Sequence, residues 1–383
     1  MDYNRVFVSK VRRVIVVFTL FSAFLGFRTT AFAQTDSVAL SAVSAEGHVA
    51  TEEKKEFDIT SFIFHHISDS HSFTLFGHGE HGFTLNLPVI LYTDKGLVNF
   101  SSAAFNHDDN GTVVVERNGV RVTKFHGKIY YANETPDAHG AYVSLDAEHH
   151  ATNVRPLDFS ITKNVFSMLL SIVVLLVVFI AVANGYKKRE GKAPKGIQSF
   201  MEPIILFVRD DIAKPNLGHK YAAFMPYLLS VFFFIWLNNM LGLVPFFPGG
   251  ANVTGNIALT VVLAACTFLI TTFKANKYYW GHILNPPVPW WLKPLMVPVE
   301  IFGMFTKPIA LAIRLFANIT AGHILVMSLL CLIFIFNSYA VAPASIFFAV
   351  FIGLIEFLVA FIQAFIFTIL SALFIGMAVE EHH

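Results

Sequence analysis

Five long apolar runs dominate the second half of the chain, at residues 165–183, 224–244, 257–273, 295–336 and 345–378. Each is long enough to cross a hydrocarbon core of about 30 Å as a helix, which takes roughly 17–25 apolar residues. The last two are too long to stand upright. As a helix the 345–378 run would reach about 50 Å at 1.5 Å per residue. It must therefore tilt steeply or break, and the turn-forming stretch at residues 337–343 makes the two runs an antiparallel hairpin, with Pro308 offering a kink in the first. Between the first two runs, residues 197–213 mix Glu202, Arg209, Asp210 and Asp211 with Phe200, Ile204, Ile205 and Val208. That mixture predicts a helix lying in the membrane interface, or a turn packed beneath the bundle.

The first half has a different pattern. Phe83, Leu85, Leu87, Val89 and Leu91 alternate with other residues, as on a half-buried strand. Asn118-Gly119 lies between two strand-like runs, a two-residue hairpin signal. Residues 34–160 therefore predict a small β-rich domain outside the membrane. At the extreme N-terminus, Lys10, Arg12 and Arg13 precede a short apolar run at 14–24 and the small-x-small sequence Ala31-Phe32-Ala33, so residues 1–33 read as a secretory signal.

Charge placement orients the whole. Lys187, Lys188, Arg189, Lys192 and Lys195 follow the first span, and Lys274 and Lys277 follow the third. The positive-inside rule puts these clusters in the cytoplasm. The β-rich domain is then exported and the C-terminus is cytoplasmic, in agreement with the leader. Overall the chain of 383 residues is 55% hydrophobic, only 14% charged and carries a net charge of +1. That composition describes a membrane protein whose partner is the lipid bilayer, and gives no basis for binding nucleic acid. Both cysteines lie in apolar runs, so the exported part folds without disulfides. It holds eleven of the sixteen histidines. No pair has a metal-binding helical spacing, so they read as solvated polar residues rather than a metal site.

The chemistry concentrates in the final hairpin. Arg314 sits amid apolar sequence long enough to prevent snorkelling, where an arginine costs about 2.5–3.5 kcal/mol on insertion scales. It is either paired with a carboxylate that holds the bundle together, or it handles a charge moving through the membrane. Asn318 shares its face, and Ala310, Ala317 and Ala321 keep that side slim. Glu300 lies near the same face, about 20 Å away along a continuous helix. His323 points about 180° away from Arg314 at 100° per residue. Glu356 and Gln363 share a stripe of the last helix. Carboxylate, imidazole and amide groups can relay protons, whereas arginine stays charged.

The order Lys307-Pro308, Leu311, Arg314-Leu315-Phe316, Asn318, Ala321-Gly322, followed by Gln363-Ala364-Phe365-Ile366-Phe367, closely resembles subunit a of F-type ATP synthases. The similarity reaches back through Asn239 and the Pro245 loop, forward to Glu380-Glu381-His382, and covers roughly residues 160–383. The resemblance implies an all-α membrane domain at 161–383 and a stator channel that performs no bond chemistry and uses no cofactor. Its implied partners are the ring of c-subunits and the peripheral-stalk subunit b, in a bacterial inner membrane. Arg314 would attract each ionised ring carboxylate and block direct leakage, supported by Asn318 and Gln363. His323, Glu356 and Asn239 would belong to the half-channel from outside, and Glu300 to the cytoplasmic outlet. Many members carry Glu at the His323 position and His at the Glu356 position, so the pair is exchanged here. Some carry an acid where this chain has Gly242. The rival readings are a secondary transporter with an intramembrane Arg–Glu–His site, and a structural scaffold for the exported domain.

Overall fold

A computed structural model describes residues 68–76, 83–137, 140–146, 150–189, 191–244, 249–336 and 341–380. The expected leader at 1–33, His65, His66, His78, His81, His139, His149, residues 245–248 of the Pro245 loop and Glu381-His382 lie outside the described residues.

Eight strands precede the helices: β1 (Ser72–Phe76), β2 (Phe83–Asn86), β3 (Pro88–Thr93), β4 (Gly96–Ser101), β5 (Asn110–Arg117), β6 (Val120–Phe125), β7 (Lys128–Tyr131) and β8 (Leu157–Asp158). They form three antiparallel sheets, β1-β2, β4-β3-β8 and β5-β6-β7. Val89, Leu91 and Val98 of one sheet meet Val115, Val120, Val122 and Ile129 of another in a common core, with Phe105 between them. The hairpin at Asn118-Gly119 forms as expected. Arg117 pairs with Val120, and both turn residues take positive φ, 50° and 70°, the backbone that an Asn-Gly type I′ turn supplies.

The single strand expected over residues 83–91 is instead two strands belonging to two sheets. Leu87 is the switch point: its N–H donates to the His71 carbonyl and its own carbonyl accepts from Ser102 N–H. Pro88 then opens β3 without an N–H to continue the earlier ladder. Leu87, Val89 and Leu91 are buried on one parity, whereas Leu85 is exposed. His71 also departs from the solvated reading. It is buried, with Nε2 3.1 Å from Asp158 Oδ2. Among the described residues no three His, Cys, Asp or Glu side chains converge on a point that could hold a metal.

Eight helices follow: α1 (Lys163–Lys188), α2 (Ile197–Phe207), α3 (Lys214–Leu217), α4 (Tyr221–Leu243), α5 (Ile257–Lys274), α6 (Lys277–Leu284), α7 (Lys293–Phe336) and α8 (Ala342–Val379). Five helical segments are long and apolar enough to cross a membrane, led by α1, α4 (continuous in length with the α2–α3 region), α5, α7 and α8. Thr162 caps α1 by accepting from Val165 N–H, and Lys187 and Lys188 oppose the dipole at its other end. Its buried stripe, Met168, Ile172, Leu175, Phe179 and Val182, packs on α4. Residues 197–213 are helical rather than a turn, and they pack against the bundle. Between α2 and α3 the chain makes a π-helical stretch, Val208–Ala213, and Met201, Ile205, Val208 and Ile212 join the bundle core against α4 and α8.

α4 is the centre of the bundle. The consecutive residues Phe232, Phe233, Phe234 and Ile235 are all buried, so protein surrounds it on every side. α7 runs unbroken through Pro298 and Pro308 for 44 residues and α8 for 38. At 1.5 Å per residue these are about 66 and 57 Å long, about twice the hydrocarbon thickness, so a membrane holds them only at a steep tilt. Lys220 Nζ and Asn276 Nδ2 both donate to the Val379 carbonyl, satisfying the C-terminal end of α8.

Candidate functional site

Three contacts set the register of the α7–α8 hairpin. Ser345 Oγ donates to the Leu329 carbonyl, the Glu356 carboxylate lies against Gly322, and Lys307 Nζ stands 5.7 Å from the centroid of the Phe374 ring. The partners climb one helix as they descend the other, so the hairpin is antiparallel. The approach at Gly322 is close enough that a Cβ there would overlap the Glu356 carboxylate.

Helical phase splits the middle of α7 into two faces. Leu311, Leu315 and Ile319, four residues apart, are buried against the bundle. Arg314 and Asn318 are exposed on the other side, with Ala310, Ala317 and Ala321. Among the described residues no carboxylate lies within 4.0 Å of Arg314. That removes the reading in which Arg314 holds this chain's own bundle together. A guanidinium facing bare lipid at that depth is too costly to persist, so its face meets a partner or water.

His323 lies on the opposite side, as its phase requires. A Cβ at Gly242 of α4 would stand 3.7 Å from its Nε2, so the imidazole fills space that a larger residue on α4 would occupy. Glu356, Ala360 and Gln363 form one stripe of α8 at i, i+4, i+7. Ala360 and Gln363 are buried, and Glu356 is half-buried with its Oε1 enclosed and without a hydrogen-bond partner among the described residues. Between the levels of Glu356 and Gln363, Asn239 Nδ2 donates to the Ala360 carbonyl at 3.3 Å, and Asn239 Oδ1 accepts from Thr254 Oγ1 at 2.7 Å. The structure therefore places Asn239, His323 and Glu356 along the α4–α7–α8 seam, with Gln363 buried two turns along α8 from Glu356.

Glu300 is elsewhere. It lines a cavity of about 840 Å³ where α7 begins and α8 finishes, with Lys277, Tyr279, His282, Lys307 and Glu380. Burial, and then the nearby Glu300 charge, push the Tyr279 phenol above its ordinary value. Arg314 stands between this cavity and the polar seam.

Sequence reasoning passed over Thr254 and had Gly322 only as a motif position. The first reads as one more residue of a polar loop and the second as a small residue in a small-residue helix. Neither pattern encodes that Thr254 fixes the Asn239 amide or that Gly322 seats Glu356. Lys307 was visible, but only as a motif lysine.

The family model described as ATP synthase A chain matches residues 165–376, from the first turn of α1 almost to the end of α8. The chain belongs to the ATP synthase A chain family. Curated relatives agree. "ATP synthase subunit a" of Chloroherpeton thalassium is 46% identical over 265 residues, 62% of this chain and 78% of the relative. "ATP synthase subunit a 2" of Chlorobaculum tepidum is 50% identical over 232 residues, 59% of this chain and 65% of the relative. "ATP synthase subunit a" of Anaeromyxobacter sp. (strain Fw109-5) is 44% identical over 255 residues, 64% of this chain and 61% of the relative. The ATP synthase A chain match contains every residue of the seam, Arg314 and Glu300. It decides against the secondary transporter, and with five apolar helices it makes the chain a multi-pass membrane protein. Residues 62–159, which include the β-sheets, match a domain of unknown function, DUF8433.

Proposed function

We propose that this chain is the stator channel subunit of the membrane sector of an F-type ATP synthase, carrying protons through two offset half-channels. The observation that carries the reading is Arg314, a fixed positive charge on the bare face of α7 with no acid in reach among the described residues. Such a group is complete only when a carboxylate arrives from another chain. The slim alanine surface around it lets a neighbouring helix approach closely.

In this reading the inlet is the seam of Asn239, His323 and Glu356, and Gln363 supports Arg314. His323 and Glu356 supply an imidazole and a carboxyl group, each able to take and release a proton. Gly242 and Gly322 leave the room these two side chains occupy. Thr254 holds the Asn239 amide in one orientation. The outlet is the cavity at Glu300. A proton reaching the seam passes to a carboxylate on the c-ring, the neutral site moves into lipid, and its return to Arg314 requires the proton to have left toward Glu300. Arg314 cannot carry the proton itself, because guanidinium does not deprotonate in proteins. It attracts the ionised carboxylate and stops protons passing straight from seam to cavity, with Asn318 one turn along on the same face. The membrane potential supplies about 2.3 kcal/mol per charge per 100 mV.

The remaining parts of the reading are the setting. The β-rich segment, residues 34–160, faces the periplasm, and the lysine clusters after α1 and α5 and the C-terminus face the cytoplasm. The peripheral-stalk subunit b holds the chain against the torque of the ring. No bond is made or broken in this subunit. The test is ATP synthesis in energised vesicles carrying Arg314→Ala: the expected outcome is loss of coupled synthesis, and a normal rate contradicts the mechanism.

A further inference from the structure

The sheet β4-β3-β8 is built the wrong way round for a domain standing in water. An antiparallel sheet with one face on a core normally turns polar residues outward. Here the inward parity of β3, Val89 and Leu91, is apolar as expected, but so is the outward parity. Tyr92 is paired with Leu97 on one side and Leu157 on the other, and all three are more than half exposed. Below this row on the same parity come Ile90 and the exposed Phe159, whose N–H donates to the Ile90 carbonyl. The β5-β6-β7 sheet behaves normally, with Glu116 and Arg117 exposed at its hairpin. Asn99 and Ser101 of β4 are polar on this side, but Leu97, Tyr92, Leu157, Ile90 and Phe159 form a contiguous apolar patch, which marks a surface that is covered in use.

The place of that face says by what. The pairing of β3 with β8 continues downward, with Ile161 N–H donating to the Pro88 carbonyl, to the residue before the cap of α1. The segment entering β1, tied to this sheet through His71 and Asp158, is fastened to the start of α1. Lys163 N–H donates to the Ser70 carbonyl, Asn164 N–H to Asp69 Oδ1, and Phe73 meets Phe166 edge-on at 6.3 Å. Leu157 and Phe159 of this exposed face therefore lie only a few residues before a membrane helix whose own outer face, Val173 and Val177 among others, is bare. We infer that the outward face of the β4-β3-β8 sheet lies on the headgroup–acyl boundary of the leaflet in which α1 begins, anchoring the β unit to lipid.

Tyr92 suits that depth, with an apolar ring and a polar tip. The geometry makes a sharp demand. Tyr92 stands four residues beyond Pro88, about 14 Å along an upright strand. The headgroup layer is only about 5–7 Å deep on each side. The sheet must therefore lean over the bilayer to bring the Leu97–Tyr92–Leu157 row into it.

The test places nitroxides at Leu97→Cys and Leu157→Cys, and at Glu116→Cys on the polar sheet, in the full chain with Cys266 and Cys331 replaced by Ala. The protein is reconstituted in phosphatidylethanolamine–phosphatidylglycerol vesicles. The expected result is that oxygen, which concentrates in lipid, relaxes the labels at 97 and 157 several-fold more than a water-soluble nickel chelate does, with the order reversed at 116. Nickel-chelate access at 97 and 157 equal to that at 116 means that the face is in water and overturns the inference. Low access to both reagents means that protein covers the face, a second copy or another subunit, and overturns it equally. The oxygen-dominated pattern at 157 without 97 means that only the β8 edge of the row reaches lipid, which contradicts a whole face lying on the boundary. None of these outcomes depends on proton conduction.

Discussion

α4 and α7 are both long apolar helices carrying polar residues, and they treat those residues in opposite ways. α4 is enclosed, and its polar groups find partners inside the chain. Tyr227 bonds Thr267, Ser230 bonds the Pro226 carbonyl, and Asn239 joins Thr254 to Ala360. α7 is bare over most of its length, and Arg314 meets no acid among the described residues. Satisfied polar groups on an enclosed helix fix a structure. A lone cation on a bare helix is addressed to something outside the chain. The contrast separates residues that shape the channel from the one that faces the moving charge.

The largest effect that could break this contrast comes from Arg314→Gln. Coupled ATP synthesis should be lost while the melting temperature of the purified chain stays close to the parent's, because an exposed side chain without internal partners contributes within about 0.5 kcal/mol. A drop of several degrees would mean that Arg314 has a structural partner after all. Next comes the seam. Gly322→Ala puts a methyl group where the Glu356 carboxylate lies, and overpacking of this kind costs about 1–3 kcal/mol. Proton flux should fall with it, and adding Glu356→Ala should restore the lost stability but not the flux. Unfolding by denaturant, read beside vesicle acidification, distinguishes the two.

The exchange of His323 and Glu356 sharpens the comparison further. If both serve one relay, His323→Glu with Glu356→His should conduct protons better than either single variant. Full flux in the single variants would take the pair off the path. The smallest effect belongs to α4: Thr254→Val removes one hydrogen bond to Asn239, worth about 0.5–1.5 kcal/mol. It should lower flux modestly by freeing the amide, and an unchanged melting curve would mean that Thr254 does not fix Asn239.

Much of this architecture was legible in the residues. Apolar runs gave the spans, because a bilayer imposes a length that composition alone can meet. Helical phase put Arg314 and His323 on opposite sides of α7, since rotation per residue is fixed by the backbone. Asn118-Gly119 specified its turn by conformational preference. What could not be read is which helix packs on which. The Glu356 seat at Gly322 and the Thr254–Asn239–Ala360 chain join elements far apart in sequence, and periodicity is blind to that. The strand over residues 83–91 failed for a related reason: alternation reports a face, not the sheet to which it belongs. His71 looked like one more solvated histidine because Asp158, its partner, lies 87 residues away.

The most direct test of Arg314 as the group facing the moving charge is disulfide cross-linking in the assembled membrane complex. A cysteine at Ala317 or Asn318, on the bare face, is paired with one placed next to the ion-binding carboxylate of the c-subunit, with Leu315→Cys on the buried face as control. Cross-links should form from 317 and 318 and not from 315. Equal cross-linking from all three, or none from the bare face, would contradict the account.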